Sequence, residues 1–164
     1  MLSGGSSAVM DALYAGIQIA GRARALVVLF SDGQDNLSWL SEREVKQVAE
    51  RSNAIVHVIG FLSPGEAARL VEPGLGVRPP PEPDHVRALR QIAEATGGRF
   101  WGVGSPERLR EAFARLASAV NARYVLRFEP QGVPRPGWHS IEVKLQRAKG
   151  RVHARPGYFV APAR

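Results

Sequence analysis

The chemistry-bearing segment of this chain is a polar turn that directly follows an apolar run. Residues 31–33, Ser-Asp-Gly, come immediately after residues 25–30, Ala-Leu-Val-Val-Leu-Phe. An unbroken apolar run of this kind is typical of a parallel strand that helices cover on both faces. Ligands of such sheets bind at the carboxyl ends of the strands. Asp32 therefore stands where we expect a functional carboxylate, acting as a metal ligand or as a nucleophile.

Other motifs for phosphate or nucleophile chemistry are incomplete. Residues 102–104, Gly-Val-Gly, lie between a strand and a helix, but Glu107 occupies the third glycine position of a dinucleotide-binding loop. Residues 4–7, Gly-Gly-Ser-Ser, lack the lysine of a phosphate-binding loop. Ser31 lacks the G-x-S-x-G pattern of a nucleophile elbow. His57 lies within an apolar run and is expected in the core, and the other three histidines have no metal-ligand spacing with one another.

Composition and charge narrow the class of protein. The hydrophobic content of 45% and the 164-residue length fit one ordinary globular domain. The absence of cysteine excludes disulfides, zinc-thiolate sites and a thiol nucleophile. The net charge of +7 comes from scattered arginines without a run of like charge, so we predict no nucleic-acid partner. No apolar stretch approaches the roughly 18 residues of a membrane span, so none is predicted.

The elements that would position Asp32 alternate along the chain. Residues 4–7 open a predicted helix that runs to about residue 20, with Ser6 or Ser7 as its N-cap. After the strand at 25–30, Ser41 and Glu44 form a capping box that opens a second helix. That helix ends near residues 52–53, and a nearly continuous apolar strand follows at 54–61.

The alternation continues beyond a proline-rich segment at residues 62–83. Asp84 is predicted to cap a helix through Ala95, and a short strand follows at 99–103. Ser105-Pro106 opens a further helix, whose predicted core-facing stripe is Leu109, Phe113, Leu116 and Val120. The pattern as a whole predicts an α/β fold with a doubly wound, mostly parallel sheet.

The C-terminal region changes character. Residues 124–129, 139–145 and 152–160 alternate in period two, with turn-forming residues between them. This pattern predicts an antiparallel, three-stranded extension. We therefore divide the chain into a first domain at residues 1–122 and a β extension at residues 123–164.

Taken together, these segments resemble a von Willebrand factor type A domain. The resemblance rests on residues 4–13 (GGSSAVMDAL) followed by residues 29–36 (LFSDGQDN). The C-terminal segments are similar to those of bacterial VWFA-related proteins, namely residues 124–130 (YVLRFEP), 141–145 (IEVKL) and 155–159 (RPGYF). The matches span nearly the whole chain, and they imply a Rossmann-like sheet.

The resemblance also implies a function. Such domains bind proteins through a divalent cation held by a D-x-S-x-S motif, a threonine and an aspartate at one edge of the sheet. By position, Ser6 matches the threonine and Asp32 matches the aspartate, and both offer the hard oxygen donors that Mg²⁺ prefers. The expectation is a non-enzymatic module that binds a protein partner through Mg²⁺ or another divalent cation. The alternatives are a helix-capping Ser6 and a solvated turn aspartate at position 32.

The sequence also departs from the family pattern. The D-x-S-x-S motif is missing, and the first three strands of the family have no counterpart. We therefore expect the C-terminal portion of such a domain, in which the strand at 25–30 has an unpaired edge. Two other hypotheses are a remnant or mis-started gene product without independent function, and a Rossmann-like hydrolase that uses Asp32.

Four other residues, in the first helix and in the loop that follows Asp32, also have expected roles. Asp11 is assigned a structural role at the positive end of the first helix. Asp35 is assigned a surface role, with a place behind the cation ligands on the same face as the alternative. Trp39 and Leu40 are expected either to bind a partner or to pack beneath their loop.

Overall fold

The computed structural model describes residues 6–20, 25–69, 81–129, 131–132, 135–147, 150 and 152–162. The described helices and strands alternate before a short β hairpin. In chain order they are α1 (Val9–Ala20), β1 (Leu26–Ser31), α2 (Glu42–Arg51), β2 (Ile55–Phe61), α3 (Pro64–Arg69), α4 (Asp84–Ala95), β3 (Phe100–Val103), α5 (Pro106–Asn121), β4 (Gly137–Ser140) and β5 (Gly157–Val160). None of these helices combines the length and the apolar character that crossing a membrane requires.

The strands form two separate sheets. Strands β1, β2 and β3 are parallel and lie in that order, with Leu26 beside Ile55 and Val58 beside Phe100. Strands β4 and β5 form an antiparallel pair. The predicted combination of a parallel α/β sheet and a C-terminal antiparallel unit is confirmed at this level.

The core lies on both faces of β2, because successive side chains of a strand point to opposite faces. Val56 and Val58 belong to a large cluster that α1, α2 and α4 complete. Ile59 belongs to a smaller cluster with Val103 and Leu116, under α5. We call these the inner face and the α5 face. His57 is only 4% exposed, so its predicted place in the core is confirmed.

Among the described residues, strand β1 is covered on one face only. Val27 and Leu29 pack against the inner cluster. Leu26, Val28 and Phe30 point to the α5 face and are exposed. The expectation of a strand covered on both faces is therefore right for β2 and wrong for β1, because α5 covers β2 and β3 and reaches β1 mainly where Phe113 approaches Phe30. Within the described sheet, β2 is the one neighbour of β1, so the predicted unpaired edge is present.

Local sequence signals predicted most helix starts. The Ser41 hydroxyl accepts the N–H of Glu44, and the Glu44 carboxylate accepts the N–H of Ser41, as a capping box requires. Ser105 caps α5 as predicted. The predicted cap at Asp84 is wrong, because Pro83 takes the N-cap position of α4 and Asp84 pairs with Arg87 inside the first turn.

The C-terminal region has two described strands instead of the predicted three. Residues 123–129 are not part of a strand, although the Phe128 ring lies 5.7 Å from the Tyr158 ring. The segment before β5 contacts the body of the fold through Arg155, whose guanidinium donates to the carbonyls of Ala49 and Ala54 (3.5 and 3.3 Å). Burial lowers the pKa of Arg155. The predicted boundary between the first domain, residues 1–122, and the β extension, residues 123–164, stays a prediction.

Candidate functional site

The loop between β1 and α2, residues 32–41, is bonded to the start of α1. We call it the Asp32 loop. The Asn36 side-chain oxygen accepts the N–H of Ser7 at 2.8 Å. The N–H groups of Asn36 and Leu37 donate to the Ser7 carbonyl (3.0 and 3.1 Å). These bonds hold the segment that contains Ser6 against the loop that contains Asp32.

The N-terminus of α1 is capped by this loop and not by its own serines. The Asp35 carboxylate accepts the N–H groups of Met10 and Ser38 (2.9 and 3.0 Å). The Ser38 hydroxyl accepts the N–H groups of Met10 and Asp11 (3.0 and 3.2 Å). The surface role predicted for Asp35 is therefore wrong. Its partial burial favours a higher pKa, but the hydrogen bonds from Ser38 and from the backbone outweigh it and lower the pKa of Asp35.

Asp11 fixes the other end of the same loop. Its two carboxylate oxygens accept the N–H groups of Trp39 and Leu40, each at 3.0 Å. The structural role predicted for Asp11 is confirmed, although it acts on the loop as well as on the helix dipole. Residues 35–40 are thus held on both sides by hydrogen bonds that cross to α1.

The side chains carried by this fixed backbone point in different directions. Leu40 packs against the inner cluster. Trp39 is 95% exposed, and Leu37 beside it is also exposed. The two roles foreseen for Trp39 and Leu40 are therefore divided between them, since Leu40 packs beneath the loop and Trp39 extends into solvent.

Asp32 lies at the exposed start of the loop. One of its carboxylate oxygens accepts the N–H of Gln34 at 3.2 Å, and the Ser31 hydroxyl accepts the N–H of Gly33 at 3.0 Å. Ser6 is exposed in the segment before α1. Its hydroxyl and the Asp32 carboxylate are hard donors that suit Mg²⁺, but two protein donors leave most of the coordination shell to water. Within the described residues, no three His, Cys, Asp or Glu side chains form a metal-binding group. The ligand pair stays a prediction.

A histidine that sequence spacing did not indicate lies against this turn. Gly33 has a φ of +80°, and a Cβ atom at that position would lie 2.5 Å from Cδ2 of His85. The His85 Nε2 atom lies 3.4 Å from a carboxylate oxygen of Glu66. The imidazole thus packs on the residue after Asp32. This contact joins α4 to the Asp32 loop across a long stretch of chain, so no local motif could have predicted it.

Comparisons with known proteins add little to this geometry. No protein-family model matches the chain, and no curated protein does. One solved structure that it resembles is described as an uncharacterized membrane spanning protein from Vibrio fischeri, with 22% sequence identity and a TM-score of 0.42. The match covers 63% of this chain and 50% of that chain, so the chain spans about half the length of that structure. A similarity at this level assigns neither a family nor a function.

Proposed function

We propose that this chain is a non-enzymatic protein-binding module that uses the Asp32 loop, at the carboxyl end of β1. In this proposal its parallel sheet is the C-terminal part of a Rossmann-like, doubly wound domain of the von Willebrand A type. The observation that carries the proposal is Trp39, which is 95% exposed on a backbone fixed by hydrogen bonds.

An exposed tryptophan on a fixed loop has the properties of a binding residue. Tryptophan is enriched among the few residues that contribute most of the energy of protein interfaces. Because Asp11 and Asp35 already hold the loop, binding would cost little additional conformational entropy. Leu37 extends the apolar contact area on the same loop. These features favour a partner protein over a small substrate.

The resemblance adds a divalent cation to this proposal. Ser6 and Asp32 would contribute a hydroxyl and a carboxylate oxygen to Mg²⁺, with water completing the shell. A bound cation supplies positive charge and an open coordination position for an acidic group of the partner. Since Mg²⁺ loses its water reluctantly, a site with two protein ligands is expected to be weak.

Selection from a displayed library of random peptides tests the binding proposal. With Mg²⁺ present, we expect the wild-type chain to enrich a family of related peptides and Trp39→Ala to lower that enrichment at least tenfold. Ile19→Ala is the matched control, because Ile19 is also highly exposed but lies in the last turn of α1. Equal enrichment by wild type and Trp39→Ala would overturn the proposed role of the loop.

Thermal unfolding in the presence of Mg²⁺ tests the cation separately. At ten times the dissociation constant, binding would stabilise the folded state by about 1.4 kcal/mol and raise the melting temperature. We expect Asp32→Asn to abolish this rise and Glu111→Gln, an exposed carboxylate variant on α5, to retain it. A rise that persists in Asp32→Asn would remove Asp32 from the cation site.

The two alternatives make different predictions. A Rossmann-like hydrolase would turn over model phosphate or carboxylate esters and lose that turnover in Asp32→Ala, whereas a binding module has no such activity. A remnant without function would enrich no peptide and would not respond to Mg²⁺.

A further inference from the structure

Trp39 presents an aromatic surface that the described part of the chain leaves uncovered. Its side chain is 95% exposed, and Leu37 on the same loop is also exposed. The cation–π contacts found among the described residues use other rings, since Arg51 and Arg90 lie over phenylalanines. The face of an indole ring attracts a cation more strongly than the face of a tyrosine or phenylalanine ring. Trp39 is therefore suited to bind a cationic group that comes from another molecule.

Carboxylates lie beside the backbone that carries this indole. Three of them accept N–H groups of residues 38–41, and a fourth is exposed in the first turn of α2. The three are Asp11, Asp35 and Glu44, and the fourth is Glu42. Hydrogen bonds from the Ser41 side chain and backbone lower the pKa of Glu44. Because such carboxylates are ionised at neutral pH, Trp39 lies in a group of negative charges.

The described part of the chain does not neutralise these four carboxylates. None of them takes part in an ion pair among the described residues, although six other acidic residues do. Arg43 is the one basic residue within the described segments 6–20 and 31–45. Four carboxylates against one guanidinium leave three negative charges, and the N-termini of α1 and α2 offset about one of these. The surface around Trp39 is therefore negative even without Asp32, in a chain whose net charge is +7.

We propose that the partner of the Asp32 loop presents a cationic side chain, arginine or lysine, to Trp39, with an apolar side chain beside it on Leu37. This inference rests on the proposed binding function of the loop and adds the chemistry of the partner. The indole face and the carboxylates attract the same positive group, so their effects reinforce each other. An acidic segment at this place would meet like charges. The acidic group that a bound Mg²⁺ would accept belongs at Asp32, at the other end of the loop.

Two synthetic peptides that differ only in charge test this inference, Arg-Arg-Gly-Leu-Gly-Arg-Arg and Glu-Glu-Gly-Leu-Gly-Glu-Glu. Each is titrated into the full chain without divalent cations, so that no bound cation can hold the acidic peptide. The NMR signal of the Trp39 indole N–H, identified with Trp39→Phe, reports binding. We expect the arginine peptide to bind at least tenfold more tightly and to lose affinity as salt is added. The net charge of +7 by itself predicts the opposite preference.

Glu42→Lys and Glu111→Lys form a matched pair, because each reverses one exposed carboxylate. Glu42 lies next to the loop, whereas Glu111 lies on α5. We expect Glu42→Lys to weaken binding of the arginine peptide at least fivefold and Glu111→Lys to leave it within twofold of the wild type. Equal weakening by the two variants would mean that the peptide responds only to net charge, and it would overturn the inference.

Failure of this inference and failure of the proposed function give different results. Equal or tighter binding of the glutamate peptide, or a Trp39 signal that responds to neither peptide, overturns the inference. The proposed function survives that outcome if the displayed library still yields peptides that depend on Trp39 but contain no excess of arginine or lysine. It fails by itself if the selection is unaffected by Trp39→Ala.

Discussion

Replacing Asp35 with alanine is expected to lower the free energy of unfolding by about 2 kcal/mol. The Asp35 carboxylate accepts the N–H groups of Met10 and Ser38, and Ser38 itself caps α1. Loss of a helix cap costs about 1 kcal/mol, and the partly buried N–H of Ser38, which would lose its acceptor, adds about 1 kcal/mol, whereas Met10 keeps the Ser38 hydroxyl as an acceptor. The variant would also release the loop that carries Trp39, so stability and binding should decrease together.

Urea unfolding followed by circular dichroism measures this effect, with Asp35→Asn as the matched variant. Asparagine keeps one acceptor oxygen and the size of the side chain, so its expected loss is about half that of alanine. A loss below about 0.5 kcal/mol in Asp35→Ala would contradict this role of Asp35 and would mean that Ser38 alone is sufficient to cap α1.

Acidification to pH 5 is expected to destabilise the fold by about 2 kcal/mol through His57 alone. Burial lowers the pKa of His57 from 6.5 to about 4, and the guanidinium groups of Arg123 and Arg99 act in the same direction. The Nδ1 atom also accepts the N–H of Arg99 at 3.0 Å, a bond that protonation at Nδ1 would break. Between these two pKa values the unfolded chain binds a proton that the folded chain does not. The stability that neutral His57 contributes is therefore fully present above about pH 6.5 and decreases as the pH falls toward 4.

Comparing the wild type with His57→Asn at pH 7.5 and pH 5 isolates this contribution. The asparagine oxygen can replace Nδ1 as the acceptor for Arg99, but it does not titrate. We expect the variant to be less stable at pH 7.5, because it loses the tilted ring contact of His57 with Trp101, yet to lose about 2 kcal/mol less on acidification. Asp35 does not contribute to this difference between pH 7.5 and pH 5. Because its pKa is lowered in the folded chain, the stability that its carboxylate provides is lost only when the pH falls below about 3.8. Equal acid sensitivity of both proteins would contradict the assignment.

Features set by neighbouring residues could be predicted from the sequence. The capping box of Ser41 and Glu44 and the cap at Ser105 depend on residues three apart, so the local pattern contains all the necessary information. The apolar runs of β1 and β2 were likewise sufficient to locate both strands. Asp84 is the exception among the caps, because Pro83 occupies the N-cap position that the pattern assigned to the aspartate.

Features that join distant parts of the chain were not predictable in the same way. Asp35 caps a helix that ends before β1 begins, and His85 reaches Gly33 from α4. Neither contact has a fixed sequence spacing. The exposed row on β1 depends on how far α5 extends across the sheet, which composition does not encode. Residues 124–129 have a strand pattern but no strand partner in the described fold, and a pattern alone does not provide a partner.

The candidate site shows the same division. Position and resemblance predict Asp32 and Ser6 as cation ligands, and this role stays a prediction. Trp39 was singled out from its place in the loop, but only the structure separates its exposed side chain from the packed side chain of Leu40. The hydrogen bonds from Asp11 and Asp35 explain why that exposed residue is held in a fixed position.

The affinity of a library-selected peptide, measured by calorimetric titration with Mg²⁺ and with a chelator, tests the central proposal most directly. We predict saturable binding to the wild-type chain in Mg²⁺, at least tenfold weaker binding in the chelator, and at least tenfold weaker binding to Trp39→Ala in Mg²⁺. Ile19→Ala should bind like the wild type. Binding that is unchanged both by the chelator and by Trp39→Ala would contradict the assignment of the Asp32 loop as the binding site.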